Sequence, residues 1–414
     1  GFIMKGNVIV GQSGGPTAVI NSSLAGVYRT AVDRGAKKVY GMLYGIQGLL
    51  DEQYVDLSKY IRSDLDVEIL KRTPSAFLGT CRYKLPDIHE NQEIYVKIFE
   101  ILNKLNIECF IYIGGNDSMD TIKKLSDYAI LTGQSQKFVG VPKTIDNDLA
   151  LTDHTPGYGS AAKYIATSTK EVIRDGIGFS YKKQQVIIIE IMGRNAGWLT
   201  GAAALSRGED CDGPDLIYLP ELTFDIEKFT AKVRKLLEKK DVVVVAVSEG
   251  IRIKDGRYVS ELGSASDYVD AFGHKQLTGT ASYLANVIHR DIGCKTRAVE
   301  FSTLQRSAAH LASRVDVNEA FMVGGAAVKA ADEGDSGKMV VIDRVSDDPY
   351  QCATGIYDVH KIANGEKMVP REWITKDGTY VTEEFIDYVR PLIQGDSPSV
   401  MVDGIPRHLY MGKK

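Results

Sequence analysis

The residues best suited to do chemistry lie in one short stretch, Pro142-Lys143-Thr144-Ile145-Asp146-Asn147-Asp148. Asp146 and Asp148 are two positions apart, so in an extended loop their carboxylates face the same way. Two close carboxylates repel, which raises the proton affinity of one and suits it to general-base work. Lys143 adds a compact cation suited to phosphate. The stretch follows KFVGVP (137–142), which reads as a buried strand. In parallel sheets, ligands bind beyond the carboxyl ends of the strands. That position favours a functional loop over a solvated polar turn.

Other strand ends carry related chemistry. NVIVG (7–11) leads into Gly11-Gln12-Ser13-Gly14-Gly15-Pro16-Thr17 and then a helical pattern. Glycine-freed N–H groups and a helix start can close on an anion there. No Gly-Lys-Ser/Thr follows, so this is not a Walker A loop. A tight strand-to-helix turn remains an equal reading. ECFIYIGG (108–115) leads into Gly114-Gly115-Asn116-Asp117-Ser118. Asp117 could hold Mg²⁺ among phosphates, or could simply cap the helix together with Ser118.

QQVIIIEI (184–191) leads into Met192-Gly193-Arg194-Asn195-Ala196-Gly197, and VVVVAV (242–247) into Ser248-Glu249-Gly250. Arg297 in KTRAVEF and Arg306 after Thr303-Leu304-Gln305 present forks that match phosphate bidentately. Each arginine alone is more often a surface ion pair. Five strand ends with anion chemistry together argue for a site.

The elements that position these loops alternate. Helical spacing follows the first strand, recurs over 91–106 with Ile94, Ile98, Ile101, Leu102 and Leu105 on one face, and again near 159–175 and 225–239. A helix is also expected from Asn195, and short strands over 38–44 and near Asp215–Leu219. Apolar runs without alternation suit parallel strands covered on both faces. The pattern predicts an α/β chain with more than one doubly wound sheet. Beyond about residue 330 the chain reads as turn-rich until an amphipathic helix over 383–393, with no catalytic signal.

Composition sets the outer limits. The chain has 414 residues, 44% apolar and 25% charged, with a net charge of −4. That excludes a coiled coil, a collagen, a disordered chain and a membrane span, and argues against a nucleic-acid binder. Five scattered cysteines without C-x-x-C read as reduced thiols, and no zinc spacing appears. GFIM at the start has no signal-peptide character, so a cytoplasmic protein is expected. The 40 glycines exceed the typical ~7% and predict many close backbone approaches.

SGGP after the first strand, then GGNDS, PKTIDND, MGRNAG, SEG and TRA…LQR, in that order, resemble the 6-phosphofructokinase family. The resemblance covers roughly residues 5–330. It implies two Rossmann-like, mostly parallel α/β domains with the active site in the cleft between them. The donor domain would comprise 1–157 with about 305–355. The sugar-phosphate domain would comprise 158–304 with about 356–414.

The implied reaction is phosphoryl transfer to the 1-hydroxyl of fructose 6-phosphate, with Mg²⁺ and in a homodimer or homotetramer. Asp146 matches the family's general base and Asp148 its companion, with Thr144 beside them. Met192, Gly193, Arg194 and Glu249 match sugar-phosphate contacts, and Arg297 and Arg306 the grip on the 6-phosphate. In bacterial members the arginine matching Arg297 reaches across from a neighbouring subunit. Gly11, Gly14, Gly15, Arg82, Gly114, Gly115 and Asn116 fall on the donor side, with Asp117 as the metal ligand.

Asp117 and Lys143 stand where ATP-using members carry glycine, which points to pyrophosphate as donor. An ATP-dependent kinase and a non-catalytic sugar-phosphate sensor remain the alternatives. Asn116 replaces a family aspartate, Gln185 a 6-phosphate arginine and Thr303 a histidine. Those departures could loosen acceptor choice, for example toward sedoheptulose 7-phosphate.

Overall fold

The computed structural model describes residues 3–263, 279–362 and 365–412. The described residues build two large sheets and a two-stranded ribbon of Met401–Val402 with Ile405–Pro406. The first contains β1 (Asn7–Gln12), β2 (Val39–Met42), β3 (Tyr54–Asp56), β4 (Ile107–Gly114), β5 (Lys137–Pro142), β10 (Lys338–Asp347) and β11 (Tyr350–Asp358). Their spatial order is β11-β10-β5-β4-β1-β2-β3. The two edge strands, β3 and β11, run antiparallel to their neighbours, and the pairs between them are parallel. The second sheet contains β6 (Gln185–Ile191), β7 (Leu216–Tyr218), β8 (Val242–Ser248) and β9 (Lys295–Glu300). Its order is β7-β8-β6-β9, all parallel.

The apolar runs form buried strands because successive side chains enter two different cores. In β1, Val8 and Val10 pack on one face with Leu24, Val27 and Val323, while Ile9 packs on the other with Phe99, Phe110 and Leu102. In β6, Ile187 and Ile189 face one core and Val186 and Ile188 the other.

Register determines where the loops emerge. Gln12 pairs with Ile113, and Gly114 with Pro142, so β1, β4 and β5 end side by side. Ile191 pairs with Ser248, and Glu190 with Glu300, so β6, β8 and β9 also end level. Chain order reverses between β1 and β4, with β2 on the other side of β1. A crevice forms at such a switch point.

The chain beyond 330 differs from the turn-rich reading. β10 and β11 form a hairpin that completes the first sheet, and only Met339–Ile342 carries a buried run. The rest of the hairpin alternates exposed and half-covered residues, so its pattern mimics a loop. The expected last helix forms as Glu383–Val389 with a 3₁₀ turn to Ile393. It buries Phe385, Ile386, Val389 and Leu392 in the core of the second sheet. No described helix is long and apolar enough to cross a membrane.

The helices Ile20–Asp33 and Arg314–Asp332 pack backbone to backbone. A Cβ on Gly26 would stand 2.1 Å from the Phe321 carbonyl oxygen, and one on Gly324 2.1 Å from that of Ser23. Alanine favours helix by about 1 kcal/mol over glycine, but here it must force two helices apart. Gly324→Ala is expected to lower stability by about 1–3 kcal/mol, read as a lower urea midpoint. An unchanged or higher midpoint would refute this close packing.

Candidate active site

The loops that leave the level strand ends line one open cleft of roughly 1740 Å³. At one end lies the two-glycine loop after β1. Gly14 has φ +79°, a conformation that glycine adopts without strain. Ser13 N donates to Ile113 O at 2.9 Å and Gly14 N to Cys81 O at 3.1 Å. Thr80 Oγ1 donates to Gly14 O at 2.7 Å. These bonds bring Arg82 onto the loop. Lys143 Nζ, buried, donates to Gly15 O at 2.6 Å.

A Cβ on Gly15 would lie 3.4 Å from Arg82 Nη2 and 3.6 Å from Arg306 Nη1. Three cationic groups therefore crowd one glycine pair. Burial, then the nearby Arg82 charge, lowers the Lys143 pKa to about 8. Such crowding is costly unless an anion lies among the cations. The helix expected directly after this loop begins only at Ile20, so side-chain cations rather than a helix start supply the positive potential here.

A helix does start at the neighbouring loop. Gly115 precedes Asn116–Thr132 with no side-chain cap, and long helices of this kind favour anions at that end. Asn116 Oδ1 is buried with no hydrogen-bond partner, and Asp117 lines the cleft beside it. An unpaired buried oxygen next to a carboxylate suits a hard cation such as Mg²⁺. Among the described residues no group of three or more His, Cys, Asp or Glu could hold a metal. A site here would use few protein oxygens, as Mg²⁺ bound to phosphates does.

At the centre stand Asp146 and Asp148, both on the cleft wall. Asn147 between them has φ +55°. Burial, then the Glu366 charge, raises the Asp146 pKa. Burial, then the Asp146 charge, pushes Asp148 up to about 8. The Asp146 charge acts on Asp148 as expected, but burial is the larger cause. Thr144 Oγ1 accepts from Asp146 N at 3.0 Å.

At the far end, Met192, Arg194, Glu249, Thr303 and Arg306 line the wall. Glu249 Oε1 accepts from Gly193 N at 3.1 Å, and burial raises its pKa to about 8. Gln305 Oε1 accepts from Met192 N at 3.1 Å.

Several expected residues are placed elsewhere. Gly11 lies within β1, where a Cβ would meet Met42 and Tyr112 at 2.8 Å. Gly114 faces Ser118, whose Oγ would be 1.8 Å from its Cβ. Neither these two glycines nor Gly193 line the cleft. Arg297 lies on β9, half exposed, 3.8 Å from Asp175, and does not line this chain's cleft. Gln185 opens β6 at the opposite end of the strand and donates to Gly176 O at 2.8 Å. Arg306 comes close to the donor loop as well as lining the cleft, so it stands at the join of the two ends. Cys81 is a packed thiol, and Trp198 stacks on Phe385 with ring centroids 5.8 Å apart.

The tail carries what sequence reasoning missed. Glu366 lines the cleft, and Asn195 Nδ2 donates to its Oε1 at 2.9 Å. Tyr388 accepts from Asn147 Nδ2 at 2.8 Å and donates to Asp153 O. Asn147 Oδ1 accepts from Thr155 N at 3.0 Å. The wholly buried Asn147 is thus held on both sides, and with it the loop between the two aspartates.

The family model "Phosphofructokinase" matches residues 7–331. A pyrophosphate–fructose 6-phosphate 1-phosphotransferase of Xanthomonas campestris pv. campestris is 43% identical over 408 residues, covering 98% of this chain and 96% of that one. The protein of the same name from Halomonas elongata is 40% identical, with the same coverage. The crystal structure of a pyrophosphate-dependent phosphofructokinase from Nitrosospira multiformis superposes with a TM-score of 0.87 at 37% identity, covering 97% of this chain and 95% of that chain.

Tyr388→Phe leaves the buried Asn147 amide without its acceptor, which costs about 1–3 kcal/mol. Turnover of the expected phosphoryl transfer should fall roughly tenfold, with substrate KM values changed less than about threefold. Steady-state kinetics beside a far-UV melt check this. An unchanged kcat would show that Tyr388 does not hold the aspartate loop.

Proposed function

The chain belongs to the phosphofructokinase family, and we propose that it transfers a phosphoryl group reversibly between pyrophosphate and the 1-hydroxyl of fructose 6-phosphate. The observation that carries this reading is Lys143 on the two-glycine loop. Its ammonium is buried and fixed on Gly15 O, with Arg82 and Arg306 nearby. That arrangement suits a short, highly charged inorganic donor. Asp117 at the helix start adds repulsion against the further phosphate of a nucleotide. The names of the relatives at 40–43% identity support the same donor.

In this reading fructose 6-phosphate lies along Met192, Arg194 and Glu249, with Arg306 toward its phosphate. Asp146 takes the proton of the 1-hydroxyl as that oxygen attacks the near phosphorus of pyrophosphate. The new O–P bond forms as the P–O–P bridge breaks, and phosphate leaves. Lys143 and Arg82 stabilise the charge on the transferring and leaving groups. Burial and the Glu366 charge hold the proton affinity of Asp146 high, and the Asp146 charge in turn raises that of its companion Asp148.

Asn116 and Asp117 are the residues that would hold Mg²⁺; when bound, it would neutralise pyrophosphate oxygens. We assign 1–157 with about 305–355 to the donor side and the remainder to the sugar-phosphate side. Arg297, which is absent from its own chain's cleft, fits a homo-oligomer in which a neighbouring subunit completes the site. A cytoplasmic location suits this chemistry and its free cysteines.

Assay of the purified protein with fructose 6-phosphate tests the donor directly. Pyrophosphate should support turnover and ATP should not; strong ATP activity with none from pyrophosphate would overturn the reading.

The titrating groups predict a bell-shaped profile for kcat/KM. Asp146 works only deprotonated, so activity falls as acid protonates a carboxylate whose pKa is raised. Lys143 works only as a cation, so activity falls again as pH rises through about 8. Asp146→Asn should cost about 10²–10⁴ in kcat with sugar-phosphate binding retained. Lys143→Arg should move the alkaline limb upward. An alkaline limb that stays in place would remove Lys143 from this role.

A further inference from the structure

The segment 365–369 lies beyond the family match, yet it is tied to both walls of the cleft. On the first-sheet side, Lys367 N donates to Asp148 O at 2.8 Å. Lys367 Nζ donates to Thr152 O at 3.0 Å and also to Asp153 O. On the second-sheet side, Trp198 Nε1 donates to Lys367 O at 2.9 Å. Glu221 Oε2 accepts from Val369 N at 2.8 Å and from Gly197 N at 2.9 Å. This strap carries Glu366 to the cleft rim, where Asn195 Nδ2 holds Oε1 at 2.9 Å.

No hydrogen bond from a described residue reaches Glu366 Oε2. The carboxylate stands close enough to Asp146 and Asp148 for its charge to act on both. Glu366 is exposed at the cleft rim, so water meets Oε2 until a ligand displaces it. A phosphate does not replace that water, because it repels a carboxylate. An ionised carboxylate only accepts hydrogen bonds, so its partner is a donor on the neutral part of the acceptor. The sugar hydroxyls are such donors. The one beside the reacting carbon is the hydroxyl on C2.

We propose that Glu366 accepts a hydrogen bond from the C2 hydroxyl of the acceptor sugar and so sets acceptor selectivity. The proposal rests on the reading of the acceptor as fructose 6-phosphate. Glu366 is a specificity residue supplied by the tail, outside the part of the chain that defines the family.

The test compares fructose 6-phosphate with 2,5-anhydromannitol 6-phosphate, which keeps the 1-hydroxyl and the phosphate but lacks the C2 hydroxyl. Wild type, Glu366→Ala and Glu366→Gln are assayed with pyrophosphate. Glu366→Ala should lose roughly tenfold or more in kcat/KM on fructose 6-phosphate, mostly through KM. It should lose less than about twofold on the analogue, and KM for pyrophosphate should not move. Glu366→Gln, which retains an accepting oxygen, should fall between wild type and alanine.

Equal losses on both acceptors would overturn the proposal, as would an equal change in the pyrophosphate KM. Both outcomes would make Glu366 a support for Asn195 alone. Wild type that turns over neither acceptor would instead overturn the reaction reading.

Discussion

Everything chemical in this molecule depends on level strand ends. Parallel strands leave their loops wherever their register stops. Here Gln12, Ile113 and Val141 stop together in one sheet, as do Ile191 and Ser248 in the other. A shift of two residues in β5 would carry Lys143 and Asp146 about 6.6 Å along the strand. That is further than any hydrogen bond between Lys143 and Gly15 could follow. The buried faces prevent the shift, because each strand inserts apolar side chains into two cores at once. Hydrophobic packing on both faces therefore sets the geometry of a polar site that it does not touch.

The second constraint is electrostatic. A chain with a net charge of −4 must bind two polyanions. It does so by separating charge along one cleft. Lys143, Arg82 and Arg306 gather at the glycine loop, while Asp146, Asp148, Glu249 and Glu366 follow toward the acceptor. Each set carries a cost of its own. Lys143 holds its proton less tightly than a free lysine, and the buried carboxylates hold theirs more tightly. These strains run opposite to what stability alone would select, and functional clefts commonly contain them.

Much of this was legible in the sequence because it is local. PKTIDND and GGNDS bring their chemistry and their strand ends within a few residues, so periodicity alone placed them. Asp117, Lys143, Asp146 and Asp148 all reach the cleft. What failed was whatever depended on distant packing. Gly11 and Gly114 sit at strand ends as expected, but a neighbouring ring and a serine, not a phosphate, demand their missing side chains. The helix that begins at Ile20 was read from Pro16, four residues early, because proline is as good in a loop as at a helix start. Glu366 and Tyr388 were invisible because nothing in their neighbourhood is periodic or motif-like. Their roles come from partners about 170 and 240 residues away.

That last failure says how the cleft is held. The two sheets are linked by the chain's passages between them and by the tail that returns across them. The hairpin β10–β11 completes the first sheet. The helix at Glu383 then packs on the core of the second. Between the two, residues 365–369 cross beside the cleft on the chain's third passage from one sheet to the other. The strap follows from that topology: a segment crossing beside a polar cleft needs partners for its backbone groups. Asp148, Trp198 and Glu221 provide them. The same bonds that satisfy the crossing backbone fix the aspartate loop and the Met192–Gly197 loop relative to each other. The tail thus serves the site through hydrogen bonds that a crossing chain needs in any case, and the carboxylate it carries into the cleft depends on them.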